Sequence, residues 1–212
     1  MIYVITGHYG SGKTEFAVNL AKKLKKPVIV DMDIVNPYFR TVDARDMLEA
    51  QGIKVIAPEF ANTNVDVPSL PPDIFGALQG NNDVILDVGG DDDGAIALGQ
   101  YNKYFQNGYE MYFVMNFCRP MTQDAQGVCE ILRDIEYASR IKVTGLVNNT
   151  NVRGDTTPKH LQDSIAKAEE VSKAVDVPII AISGTKKILD KVETKYPKME
   201  LELNLALPWE KY

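Results

Sequence analysis

Eight consecutive residues near the start of the chain, Gly7-His8-Tyr9-Gly10-Ser11-Gly12-Lys13-Thr14, satisfy G-x-x-x-x-G-K-[ST] with no mismatch. Glycines at this spacing let successive backbone N–H groups curl around an anion, and a helix opening just behind them adds partial positive charge. A lysine at the seventh position reaches the outer phosphates of a nucleotide, and a hydroxyl at the eighth ligates Mg²⁺. All eight residues are therefore candidate phosphate ligands, with Thr14 also a candidate metal ligand. A magnesium–triphosphate site needs further carboxylates, and in a parallel sheet these stand at the C-terminal ends of neighbouring strands. Asp31 and Asp33 follow the apolar run 28–30, and Asp87 follows 84–86 as Asp87-Val88-Gly89-Gly90. An aspartate after a strand is ordinarily a turn or helix cap; beside a phosphate loop, Asp33 and Asp87 become candidate metal ligands. Gly90, three residues after Asp87, lets the backbone turn and offer an N–H to a γ-phosphate.

The elements that must hold these groups are legible as buried runs. Short β-branched stretches recur at 2–6, 28–30, 53–57, 84–88, 111–116, 142–148 and 178–182, which predicts about seven strands. Between them lie helical spacings: Phe16, Leu20 and Leu24; Met121, Ala125, Val128, Leu132 and Ile135; Leu161, Ile165, Ala168, Ser172 and Val175. Because the strands read as continuous rather than alternating apolar runs, both sheet faces must be covered. The expected fold is a doubly wound, mainly parallel α/β sheet with helices on both faces, in one domain over residues 1–212. Gly52 sits where it would cap a helix carrying Met47, Leu48 and Ala50. The stretches 62–72 and Asp91-Asp92-Asp93-Gly94 read as surface loops, and 195–212 as a mixed tail packing on the body.

Composition narrows the function. A chain of 212 residues with 45% apolar and 25% charged residues has ordinary globular proportions. Its net charge of −6 argues against a protein that grips nucleic-acid phosphates electrostatically. No apolar run approaches the roughly 20 residues that span a bilayer, and the first residues lack a signal-peptide pattern, so a cytoplasmic location is expected. Two cysteines, Cys118 and Cys129, and two histidines, His8 and His160, form neither a disulfide framework nor a metal-ligand spacing.

These residues together resemble the MinD/ParA-type ATPases, the P-loop group that also holds nitrogenase iron protein and metallocentre-maturation ATPases. Gly12-Lys13-Thr14-Glu15-Phe16-Ala17-Val18-Asn19-Leu20-Ala21 is similar to the family's loop and its Asn-Leu-Ala helix; Val30-Asp31-Met32-Asp33 to switch I; and Asp87-Val88-Gly89-Gly90 to switch II. Gly145-Leu146-Val147-Asn148-Asn149 resembles the strand end that carries an adenine-contacting asparagine, which makes Asn149 a candidate base ligand. The resemblance implies ATP and Mg²⁺ as cofactors and Asp33 as the group orienting the attacking water. Lys13 would stabilise charge on the γ-phosphate, and a protein partner would respond to hydrolysis. The family's second loop lysine is here His8. Both a phosphate contact and a structural role remain open for it, as do a monomer and a nucleotide-dependent homodimer. Guanine readers usually carry Asn-Lys-x-Asp, and Asn148-Asn149-Thr150-Asn151 has no such carboxylate, so ATP is the expected nucleotide.

Two other functions compete with a switch or maturation ATPase: a dethiobiotin-synthetase-like small-molecule ligase or phosphotransferase, and a nucleotide-binding adaptor that does not hydrolyse. The first needs an acceptor pocket, for which 62–72 with Glu59 and Asp66 is the candidate stretch. Asn36-Pro37-Tyr38-Phe39-Arg40 reads equally as a partner surface or as loop packing, and Asp91–Asp93 as a cation site or a solvated face.

Overall fold

The computed structural model describes residues 1–33, 41–58, 72–90 and 92–205, with the side chains of Asp92 and Asp93 excepted. The motif Asn36–Arg40, the stretch 62–71 with Glu59 and Asp66, Asp91, and Leu207-Pro208-Trp209 lie outside the described residues.

Each run of buried β-branched residues forms a strand: β1 (Ile2–Thr6), β2 (Val28–Asp31), β3 (Lys54–Ile56), β4 (Val84–Asp87), β5 (Glu110–Met115), β6 (Gly145–Asn148) and β7 (Ile179–Gly184). An eighth, β8 (Lys198–Glu200), joins them in one sheet of order β3-β2-β4-β1-β5-β6-β7-β8, and every pairing is parallel. Successive residues on a strand face opposite ways, and two cores result. Val4, Leu86, Phe113 and Leu146 belong to one; Ile5, Ile85, Val114 and Val147 to the other. Helices α3 (Asp73–Gln79), α4 (Asp92–Gly99), α5 (Ala125–Ser139) and α6 (Pro158–Val175) cover the first core through Ile74, Leu98, Leu132 and Val171. Helices α1 (Lys13–Ala21) and α2 (Arg45–Ala50) cover the second through Phe16 and Leu48, where residues 201–205 join them with Leu201 and Leu205. A short helix, α7 (Lys186–Leu189), follows β7.

The register does the functional positioning. Asp31 lies directly beside Asp87 across β2 and β4, and Met115 beside Asn148 across β5 and β6, all at the C-terminal edge. Strand β1 stands between β4 and β5, so chain leaving its C-terminal end has the acidic strand ends on one flank and the amide strand ends on the other.

Four local expectations shift. The sheet has eight strands, because the Lys-Met-Glu of β8 pairs with β7 through its backbone while two of its three side chains stay exposed. Leu24 and Met121 fall outside helices; Met121 has φ +67° and stands 71% exposed. The Asp92-Asp93-Gly94 expected in a loop opens α4, for which Ala95 and Leu98 supply the buried face. Gly52 caps as expected, with φ +76° and its N–H on the Glu49 carbonyl at 2.9 Å. Among the described residues no helix is long and apolar enough to cross a membrane.

Candidate functional site

The loop of residues 7–12 leaves β1 and turns with the Ser11 N–H on the His8 carbonyl at 3.0 Å. Gly12 precedes α1 in the left-handed region at φ +86°, and a Cβ there would strike the Asn149 side-chain amide. Only glycine satisfies both conditions. Lys13 and Thr14 therefore open the helix immediately behind the loop. Gly90 makes the second close approach: a Cβ on it would lie 2.7 Å from the Tyr9 nitrogen. The Gly89–Gly90 turn after β4 thus touches the back of the phosphate loop itself.

On one flank stand carboxylates. Asp31 Oδ1 accepts the Asp33 N–H at 3.0 Å, and its Oδ2 accepts the Val42 N–H at 3.4 Å. Asp87 is buried; its Oδ2 accepts from the Thr41 hydroxyl at 2.8 Å, while its Oδ1 has no hydrogen-bond partner. Burial pushes the Asp87 carboxyl up to about 7, with Asp31 adding repulsion, while Lys13 and the hydroxyls of Thr41 and Thr14 pull the other way. A buried carboxylate oxygen without a donor, beside a helix-opening threonine, suits a divalent cation, which supplies the missing positive charge. Thr14 and Asp87 fit Mg²⁺ on that observation, and Asp33 lines the same cleft. Among the described residues no group of three His, Cys, Asp or Glu gathers to hold a metal unaided, as expected where hydroxyl and phosphate oxygens complete the shell.

On the other flank stand amides, all engaged. Asn149 donates to the Ser11 carbonyl at 2.9 Å and accepts from the Ser183 hydroxyl at 3.0 Å. Asn116, closing β5, donates to the Asn151 carbonyl at 3.0 Å and to the Gly10 carbonyl at 3.4 Å, and accepts from the Cys118 N–H at 3.0 Å. Asn148 donates to the Ser164 hydroxyl at 2.8 Å and accepts from Thr150. Asn149, named as a base ligand from sequence, is thus placed as a brace under the phosphate loop.

His8 is half-buried, and burial together with the charge of Lys13 holds its imidazole below the ordinary histidine range. At neutral pH it is a neutral ring, a hydrogen-bonding group rather than a cation. Tyr9 is 57% exposed beside it.

The loop forms one end of a cleft of about 1090 Å³ that runs past residues 149–156 and 183–188 to Leu201, Leu203 and Leu205. Residues 202–205 are pinned on α1: Asn19 exchanges two hydrogen bonds with the Glu202 backbone, at 2.9 and 2.8 Å, and Glu15 accepts from Asn204 at 2.6 Å and from Leu205. The Arg153 guanidinium donates to the Leu205 carbonyl.

Sequence alone assigned no role to Thr41, Asn116, Arg119 and Ser183. Three of the four follow or end strands at the same edge as the phosphate loop, so their signal was a polar residue closing an apolar run; Thr41 carries no such signal.

No family model matches the chain, and no curated protein matches it. Solved structures do. Cell division protein FtsY from Thermotoga maritima aligns at 19% identity over 90% of this chain and 63% of that one, with a TM-score of 0.54. Signal recognition particle receptor FtsY from Elizabethkingia anophelis in complex with GDP aligns at 18% over 89% and 58%, TM-score 0.55. The signal recognition particle 54 kDa protein from Aeropyrum pernix in complex with GDP aligns at 18% over 84% and 40%, TM-score 0.52. The fold is that of a P-loop NTPase. The chain spans less than two thirds of the length of each of these proteins, and at such identity the likeness concerns architecture.

Proposed function

We propose that this chain is a Mg²⁺-dependent, ATP-binding and ATP-hydrolysing P-loop protein of MinD/ParA type, a single domain that acts as a nucleotide-dependent switch on a protein partner. The observation that carries this reading is the seating of Gly7–Thr14 between β1 and α1, with the unpartnered Asp87 Oδ1 on one side and the braced amides on the other. In this reading the loop N–H groups and Lys13 bind the β- and γ-phosphates, and Lys13 holds charge that develops on the γ-phosphoryl oxygens. Thr14, Asp33 and Asp87 would hold Mg²⁺, which would supply positive charge against that of the phosphates. Asp33 orients the attacking water, and Gly90, packed on Tyr9 and Gly7, senses the γ-phosphate and moves the segment behind it. With His8 neutral, hydrolysis without a partner is slow, in the range of intrinsic switch proteins, about 10⁻⁴ to 10⁻² per second.

GTP is the second reading, and one observation favours it: Asp155 lines the cleft beyond the phosphate loop, where its carboxylate would accept from the ring N–H groups of guanine. FtsY from Elizabethkingia anophelis is itself recorded with GDP.

Thermal unfolding with Mg²⁺ and ATP, GTP or no nucleotide tests both. At about 100 times the dissociation constant a ligand adds roughly 2.7 kcal/mol, or about 5 to 10 °C in midpoint for a chain of this size. The expected result is a rise with ATP that disappears in Lys13→Ala. A rise with GTP alone transfers the assignment to GTP, and no rise with either removes the nucleotide reading.

A further inference from the structure

Arg119 is the one arginine whose side chain is fastened to the phosphate loop among the described residues. Its backbone is locked first: the turn after β5 has the Arg119 N–H on the Asn116 carbonyl at 3.3 Å and the Thr122 N–H on the Arg119 carbonyl at 3.2 Å, with the Thr122 hydroxyl on Asn116 at 2.7 Å. Its side chain is locked at the middle, where Nε donates to the Gly10 carbonyl at 2.8 Å. The guanidinium lies along Gly10, since a methyl on that residue would sit 3.0 Å from Nε and 3.8 Å from Cζ.

What remains is the terminal fork. Arg119 lines the same cleft as Lys13, and no carboxylate among the described residues forms an ion pair with it. The other arginine on the cleft wall, Arg153, is engaged by the Leu205 carbonyl. Arg140 follows the last turn of α5, with its carbonyl held by Asn102. An arginine is charged at every accessible pH, and ordering it in a half-buried place without a counter-charge costs both solvation and rotamer entropy. A fixed, charged fork without a protein anion is matched by an anionic ligand, and a guanidinium fork fits paired phosphate oxygens.

We propose that Arg119 is a second intramolecular cation for the polyphosphate of the bound nucleotide, its Nε holding the Gly10 carbonyl and its two terminal amino groups taking phosphate oxygens. The proposal rests on the nucleotide reading above. It differs from a purely structural role, in which Arg119 merely braces the loop, and the two roles separate by chemistry. In Arg119→Gln the amide nitrogen occupies the position of Nε, so the donor to Gly10 is kept while the charged fork is removed. In Arg119→Met both are lost, and in Arg119→Lys the charge is kept and the fork is lost.

The experiment is calorimetric titration of the full chain and the three variants with MgATP and MgADP at two salt concentrations, alongside thermal unfolding without ligand. The expected result is that Arg119→Gln unfolds at the wild-type midpoint yet binds MgATP about tenfold or more weakly, as loss of a charge-assisted contact implies. Its dependence of affinity on salt is shallower than that of the wild type. Arg119→Lys falls between the two. If Arg119→Gln binds as tightly as wild type while Arg119→Met does not, Arg119 is a brace and the proposal is overturned. If Arg119→Gln fails to fold, Arg119→Lys decides: affinity equal to that of Arg119→Met overturns the proposal, and affinity clearly above it supports it. A wild-type chain that binds no nucleotide overturns the nucleotide reading and this assignment together, whereas a wild-type chain that binds normally confines any failure to Arg119.

Discussion

The two flanks of the phosphate loop solve opposite problems. On the β2–β4 side, Asp31 and Asp87 are brought side by side by strand register, both are buried, and one oxygen of Asp87 has no donor. On the β5–β7 side, Asn116, Asn148, Asn149 and Ser183 are equally buried, yet each side chain has hydrogen-bond partners: Gly10 and Asn151 for Asn116, Ser164 and Thr150 for Asn148, Ser11 for Asn149, and Asn149 for Ser183. Neutral amides closed on themselves make a scaffold, because a satisfied buried network holds one geometry. Carboxylates crowded in low dielectric, with one oxygen of Asp87 lacking a donor, make negative charge costly there, which raises the Asp87 carboxyl. The loop has a closed amide network on one side and a buried carboxylate oxygen without a donor on the other.

The largest effect that tests this division is on turnover. Asp33→Ala should lower nucleotide hydrolysis at least a hundredfold, the scale of losing a group that positions or accepts a proton, while keeping the nucleotide-induced rise in melting temperature. Asp87→Asn should remove Mg²⁺ dependence as well, and both are read by phosphate release across a Mg²⁺ titration. An unchanged rate in Asp33→Ala removes Asp33 from the chemistry.

Breaking the amide flank should act on folding instead. Asn149→Ala leaves the Ser11 carbonyl and the Ser183 hydroxyl without their partner, at a cost of about 1–3 kcal/mol each way such groups are left buried. Denaturant unfolding without ligand measures it, and a loss comparable to that of an exposed substitution would erase the contrast between the flanks.

The smallest effect is in pH. Asp87 binds its proton up to about pH 7 in the folded state against an ordinary 3.8, so the folded state holds more protons than the unfolded one across that window. Its contribution to stability is complete below about 4 and is lost as pH rises through about 7. Ligand-free wild type should therefore lose melting temperature relative to Asp87→Asn between those limits, and Mg²⁺ should reduce the difference at the upper end.

The division between flanks also explains what was legible in the sequence. Seven strands announced themselves because both faces are buried, so each reads as a run such as Val84-Ile85-Leu86. The strand 198–200 did not, since it pairs through backbone alone and carries Lys and Glu outward. The phosphate loop was readable because glycine and lysine at fixed spacing are forced by backbone geometry. Asp87 was readable by its place at a strand end. The hydrogen bonds of Asn149 were not, because the sequence does not show that register brings Ser11 and Ser183 against it. Asn19 is a similar case. It belongs to the Asn-Leu-Ala resemblance, yet its side chain is bonded to the backbone of Glu202, 183 residues away.

That last contact sets an order of events during synthesis. The helix behind the phosphate loop emerges from the ribosome well before the wall it supports, since Leu201 to Leu205 are made almost two hundred residues later. At about 5–20 residues per second, the nascent chain exposes Glu15, Asn19 and the open side of the cleft for about ten seconds or more before the wall arrives. The two sides of one cleft are thus made far apart in time.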